Sequence, residues 1–165
     1  LADDVYIHQS RVNLKPELHG RAFPWHSDFE TWHVEDGMPA MRAVSCSIAL
    51  TENHAWNGPL LLIAGSHRRY VAFGGRTPED NYRTSLREQE YGVPDLAVLT
   101  DLHNGGDIAT FAGAAGSVAF FDCNTMHASP ANLSPRPRNN VFLVYNAMSN
   151  RLSEPFGAAS RRPRP

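Results

Sequence analysis

At 165 residues the chain is long enough for one domain with its own core, and 42% apolar against 19% charged residues is ordinary globular composition. A formal net charge of −2 excludes the basic footprint of a nucleic-acid binder. The longest apolar runs, such as residues 60–64, are far too short for a membrane span.

The chain opens on Leu1-Ala2-Asp3-Asp4 without an initiator Met and enters a strand-like stretch at once. The expectation is a core whose N-terminal part is missing. Residues 5–14 alternate apolar and polar and predict a strand, as do 25–32 and, more strongly, 41–51. Asn57-Gly58-Pro59 marks a turn, after which 60–63 continue as a strand. Thr77-Pro78-Glu79-Asp80 has the cap, proline and acids of a helix start, predicting a helix to about Tyr91. A second short helix is predicted over 95–103, and strands over 116–122 and 140–147. Many short strands with one helical insertion predict a mostly β, jelly-roll fold. The core spans 1–156, followed by a Pro/Arg-rich tail at 157–165 whose arginines (Arg161, Arg162, Arg164) read as solvated. Cys46 and Cys123 fit no metal-binding spacing and read as buried free thiols in a reducing compartment.

Ferrous enzymes that activate dioxygen often hold the metal with two His and one carboxylate, leaving positions open for other ligands. On a strand, residues two apart point the same way, so H-x-D aims both side chains at one ion. With eight His and 17 acids, chance alone gives roughly one such match. Two occur: His26-Ser27-Asp28 and His33-Val34-Glu35. On a continued strand 26, 28, 30 and 32 share a face opposite to 33 and 35. The second pair runs into the loop residues Asp36-Gly37-Met38-Pro39, so His33 and Glu35 read as surface or lid residues. The third ligand should come from a distant strand. His127, after the strand 116–122, is the first candidate, with His67 and His103 as rivals. His8, His19 and His54 show no ligand context. Arg138, 11 residues beyond His127, would come near the metal if the two lay on adjacent strands of a hairpin; its planar fork suits a carboxylate. On spacing alone it is equally a loop arginine like Arg136.

The stretch from Phe23-Pro24-Trp25-His26-Ser27-Asp28 to Gly37-Met38-Pro39 resembles the signature of the ectoine hydroxylases, within the phytanoyl-CoA dioxygenase-like branch of the Fe(II)/2-oxoglutarate oxygenases. Further matches are Gln9-Ser10-Arg11-Val12-Asn13, Asn57-Gly58-Pro59-Leu60, Gly65-Ser66-His67, Gln89-Glu90-Tyr91-Gly92-Val93-Pro94 and Phe120-Phe121-Asp122-Cys123-Asn124-Thr125-Met126-His127. The resemblance implies a double-stranded β-helix core with His26, Asp28 and His127 on iron and Arg138 on 2-oxoglutarate. It also implies cosubstrate contacts at Asn13, Ser45 and Ser129, and ectoine contacts at Gln9, Arg11, Trp32, Ser47, Phe121 and Asn140. Aromatic faces suit the cationic ring of ectoine and an Arg its carboxylate. The reaction implied consumes dioxygen and 2-oxoglutarate and gives 5-hydroxyectoine, succinate and carbon dioxide. A cytoplasmic setting follows, with a small-molecule substrate, no nucleic-acid or membrane partner, and a homodimer as an option for the full-length parent. Ala64 departs from the branch, which usually has Pro before Gly-Ser-His. The rival readings are a hydroxylase of another amino-acid-like substrate and a non-catalytic metal-binding jelly-roll module. Asp28 argues against a halogenase, which needs that coordination position for halide.

Overall fold

The computed structural model describes residues 1–72 and 94–157. The helix expected over 77–91 lies outside the described residues, as does nearly all of the tail.

Among the described residues eight strands form two four-stranded antiparallel sheets. The larger sheet runs β1 (Val5–Lys15), β8 (Arg138–Ala147), β3 (Ala43–Ala49) and β6 (Val118–Asp122). The smaller runs β2 (Phe23–His26), β7 (His127–Ser129), β4 (Leu60–Ile63) and β5 (Ile108–Phe111). Neighbours in space are mostly not neighbours in sequence, the wrapping expected of a jelly roll. Helix α1 (Asp28–Asp36) follows β2, and α2 (Leu96–Gly105) lies between β4 and β5. Asp95 caps α2 by accepting from the Val98 amide at 2.8 Å, as its position at the start of the expected 95–103 helix suggests. Among the described residues no helix is long and apolar enough to cross a membrane.

Register decides which side chains meet, because directly paired residues share a face. Inside the larger sheet the rows are Gln9–Val144–Ser45–Phe121, Arg11–Phe142–Ser47–Ala119, Asn13–Asn140–Ala49 and Lys15–Arg138. A bulge at His8 lets His8 and Gln9 both turn inward without reversing the rest of β1. Leu60 of the smaller sheet packs on Phe121 and Phe142 of the larger and closes the space between them. At one end α1 sets Phe29 and Trp32 on Met38, Ala43, Cys123 and Val144. Beyond the smaller sheet, α2 sets Leu102, with Val98 and Leu99, against Ile63, Val71 and Met126.

The expected strand over 25–32 is corrected: it ends at His26, and Asp28 begins a helix. Two acids in the first turn, Asp28 and Glu30, favour that start, and Gly37 ends it at φ 75°. A β-carbon at Gly37 would stand 2.2 Å from the Ser153 carbonyl oxygen, so only glycine fits. The reading of Glu35 as a surface or lid residue fails with it, while His33 is half-buried. Glu35 is buried, and His33 donates through Nδ1 to the Met38 carbonyl at 2.8 Å while stacking on Phe29 and Phe156. Both cysteines are free and buried as expected, and burial pushes the Cys123 thiol up to about 12.

Candidate metal centre

The side chains of His26, Asp28 and His127 converge, with one donor atom from each lying within 4.8 Å of the others. Pairing across β2 and β7 sets His26 opposite His127, so both rings leave the smaller sheet on its inner face, 4.1 Å apart. Asp28 arrives from the first position of α1, not from strand alternation. Its two oxygens face the two rings: Oδ1 is 3.8 Å from His26 Nε2, and Oδ2 is 3.8 Å from His127 Nε2.

The tautomers follow from the outer contacts. His26 Nδ1 lies 2.8 Å from the Pro24 carbonyl and His127 Nδ1 2.9 Å from that of Thr125. Each Nδ1–H donates to that oxygen, which leaves the Nε2 lone pairs facing Asp28. Burial, reinforced by the neighbouring His127, pushes His26 down to about 3, so its imidazole is neutral at physiological pH. Two imidazole nitrogens and one carboxylate at this spacing are a donor set for a divalent transition metal. The residues therefore fit the group that the sequence implies.

The larger sheet supplies the facing wall. Arg11 reaches across with Nη2 4.0 Å from Asp28 Oδ1 and lies over the Phe142 ring. Phe121 sits 5.3 Å from the His127 ring. Ser47 accepts from Asn140 at 3.0 Å. Among the described residues Arg11 Nε, Ser45 Oγ and Asn140 Oδ1 are buried without a hydrogen-bond partner, a donor and acceptors that a polar ligand would satisfy. Arg138 is 2% exposed and donates through Nε to the Gly58 carbonyl at 2.9 Å. Burial pushes it down to about 10, which leaves it charged at neutral pH.

Of the residues named from the sequence, Gln9, Arg11, Asn13, Ser45, Ser47, Phe121, Arg138 and Asn140 fall on this one inner face. Ser129 closes its end, accepting from Lys15. Trp32 does not share a strand face with His26. It is buried in the core cluster and meets His8 edge-on at 5.0 Å. The hairpin expected for His127 and Arg138 is also corrected: the two lie on different sheets, and Arg138 approaches from the opposite wall. His67 sits in a 3-10 turn and His103 in the last turn of α2, neither within the metal-binding cluster.

Lys15 was missed. It is paired with Arg138, and its Nζ donates to Ser129 Oγ at 2.7 Å and to the Pro130 carbonyl at 2.6 Å. Burial and the Arg138 charge push it down to about 7. Gly58, at φ 78°, makes room for it: a β-carbon there would stand 2.5 Å from Lys15 Cδ. The available signal was that Lys15 shares the parity of Arg11 and Asn13.

Two His and one carboxylate between the sheets of a jelly roll are the arrangement of non-haem iron oxygenases. The chain belongs to the phytanoyl-CoA dioxygenase (PhyH) family, whose model matches residues 2–140. It is 58% identical over 163 residues to the ectoine dioxygenase of Bordetella bronchiseptica, covering 99% of this chain and 53% of that one. To the ectoine dioxygenase of Halomonas elongata it is 57% identical over 164 residues, with 99% and 49% covered. A crystal structure of EctD from S. alaskensis with 2-oxoglutarate and 5-hydroxyectoine superposes with a TM-score of 0.84 at 52% identity, over 98% of this chain and 51% of that one. The same enzyme with bound Fe gives 0.83 over 98% and 50%. The chain thus spans about half the length of the curated relatives it matches.

Proposed function

We propose that this sequence is the core of an Fe(II)- and 2-oxoglutarate-dependent dioxygenase that hydroxylates ectoine to 5-hydroxyectoine. The observation that carries the reading is the convergence of His26, Asp28 and His127 opposite a polar sheet face that ends in two buried basic side chains, Arg138 and Lys15. Identities of 57–58% to ectoine dioxygenases support the substrate.

His26, Asp28 and His127 would hold the iron through two imidazole nitrogens and one carboxylate. Bound iron, with 2-oxoglutarate and dioxygen, supplies the oxidising power for the C–H bond while the 2-oxo acid becomes succinate and carbon dioxide. Arg138 offers the cosubstrate's distal carboxylate a planar, permanently charged fork. Lys15 adds a second positive charge, and Ser129, Ser45 and Asn13 add hydrogen-bonding groups. Nearer the metal, Arg11 suits the carboxylate of ectoine, while Gln9, Ser47 and Asn140 provide polar contacts to its ring. Phe121, and Trp32 if its packing opens onto the site, would face the delocalised cation. Leu60, Phe121 and Phe142 keep water from the space between the sheets. Two buried free thiols support a reducing, cytoplasmic setting.

The test is succinate release by a chain of the relatives' full length carrying this sequence, with Fe(II), 2-oxoglutarate and ectoine. Ectoine-dependent succinate matched by 5-hydroxyectoine is expected. Succinate formation that ignores ectoine, or responds better to another small zwitterion, would overturn the substrate assignment.

A further inference from the structure

Ser27 stands at the N-cap of α1 in extended conformation, yet its side chain does not cap the helix. Serine is among the best N-caps because its oxygen accepts a free amide of the first turn. Here the hydroxyl instead donates to Asn124 Oδ1 at 3.1 Å, across 97 residues of sequence. The amide of Phe29, in the first turn, is taken by the Cys123 carbonyl at 3.0 Å. The start of α1, which carries Asp28, is therefore tied to the turn that leads to His127.

Asn124 is the centre of that turn. It is 2% exposed, and Nδ2 donates to the carbonyls of His67 at 2.9 Å and Arg69 at 3.0 Å. Its own amide donates to Asp122 Oδ1 at 2.8 Å. These bonds fix the amide orientation, since the flipped group would set its oxygen against two carbonyl oxygens. Two residues on, the Met126 amide donates to Ser66 Oγ at 2.9 Å, and Ser66 donates to the Ile63 carbonyl at 2.7 Å. The Gly65-Ser66-His67 turn thus backs the same loop. Three separate pieces of chain, 26–29, 66–69 and 122–127, meet at one buried amide.

We propose that Asn124 is a positioning residue that sets Asp28 against His127 and so tunes the affinity and geometry of the metal site. This rests on the reading of His26, Asp28 and His127 as the metal ligands. Asn124 touches neither metal nor ligand; it acts through Ser27 on one side and through the 124–127 turn on the other. Groups that hydrogen-bond a metal ligand directly are worth about 10–100-fold in metal affinity, and a residue acting one contact further out falls at the lower end, about tenfold.

The experiment measures Mn(II) and Fe(II) dissociation constants of the apoprotein under anaerobic conditions, with the Co(II) absorption spectrum as a report on geometry. Asn124→Ala is compared with Asn150→Ala. Asn150 is equally buried, donating to the Ala40 carbonyl and Asn146 Oδ1 and accepting from the Ala40 amide, and none of these partners adjoins a metal ligand. Asn124→Ala should lose about tenfold in metal affinity with an altered Co(II) spectrum, whereas Asn150→Ala should lose thermal stability alone. If Asn124→Ala does not fold, Ser27→Ala decides: it removes one hydrogen bond and should cost about fivefold in affinity, restored in Ser27→Thr. Wild-type affinity and spectrum in Asn124→Ala, or in Ser27→Ala where that variant decides, would overturn the proposal. Failure of the wild type to bind either metal would instead defeat the ligand assignment on which it rests.

Discussion

The two faces of the larger sheet reverse the usual order. Its inner face is largely polar, with Lys15, Ser45, Ser47, Arg138 and Asn140 buried and Arg11 and Asn13 half-buried in adjoining rows. Its outer face is apolar and open: Val12, Leu14, Val118 and Phe120 are all exposed, Leu14 at 70% and Phe120 at 67%. A half-buried sheet ordinarily places apolar residues inside. Burying a polar group without a partner costs about 1–3 kcal/mol, and Arg11 Nε, Ser45 Oγ and Asn140 Oδ1 carry that cost for the fold alone. The inner pattern makes sense as a surface shaped for a polar ligand, with stability supplied by the clusters at its margins. Phe120 and Phe121 state the contrast in adjacent residues: one points to solvent, the other lies against His127.

The largest effect belongs to the ligands on the inner side. Asp28→Ala or His127→Ala should reduce metal affinity by more than the roughly 100-fold ceiling for outer contacts, measured by Mn(II) titration. Retained affinity would break the assignment of the inner face as a metal site.

Arg138→Ala comes next. Removing a buried charged partner costs about 2–4 kcal/mol, roughly 30- to 1000-fold in the 2-oxoglutarate requirement, with ectoine affected far less. Arg138→Lys should restore only part, because an ammonium lacks the planar fork. Equal losses for both substrates would place Arg138 in general folding.

The two phenylalanines sharpen the comparison directly. Phe121→Ala should destabilise by about 3–4 kcal/mol and raise the ectoine requirement, whereas Phe120→Ala should stay within about 0.5 kcal/mol. Thermal denaturation and steady-state kinetics separate them. Trp32→Phe belongs with this pair: a raised ectoine KM at unchanged stability would place it on the substrate wall, and lost stability at unchanged KM would leave it in the core.

The smallest effect is a proton. Lys15 is held at about 7, far below an ordinary lysine. A dicarboxylate bound beside it favours the charged amine, so binding should take up a proton above about pH 7 and none well below it. Affinity is therefore full at low pH and falls as pH rises through that window. Without ligand the sign is opposite: the unfolded chain binds the proton more tightly, so folding stability rises with pH above 7. Calorimetry in buffers of different ionisation enthalpy counts the proton, and Lys15→Met should abolish the uptake.

Much of this was legible in the sequence, for stateable reasons. Strands bounded by Gly, Pro and Asn, such as 41–51 and 60–63, announce themselves through alternation or apolar runs. The resemblance names most of the inner-face residues one by one, from Gln9 and Arg11 to Arg138 and Asn140. The error at 25–32 arose because Trp, Phe and Thr favour strands, while the helix signals — Ser27, two early acids and Gly37 — were not weighed against them. Strands β5 and β7, of four and three residues, are too short to show a period. Lys15 was overlooked because a lysine ending a strand normally reaches water, and only the pairing with Arg138 shows otherwise.

The central claim is that the inner face of one sheet and three ligands from the other side form a single iron and 2-oxoglutarate site. Anomalous diffraction at the iron edge, from crystals grown without oxygen in Fe(II) and 2-oxoglutarate, tests it most directly. The account predicts one strong peak about 2.0–2.2 Å from His26 Nε2, His127 Nε2 and an Asp28 oxygen, with the cosubstrate's far carboxylate on Arg138. Iron at His67 or His103, or a cosubstrate bound away from Arg138, would contradict it.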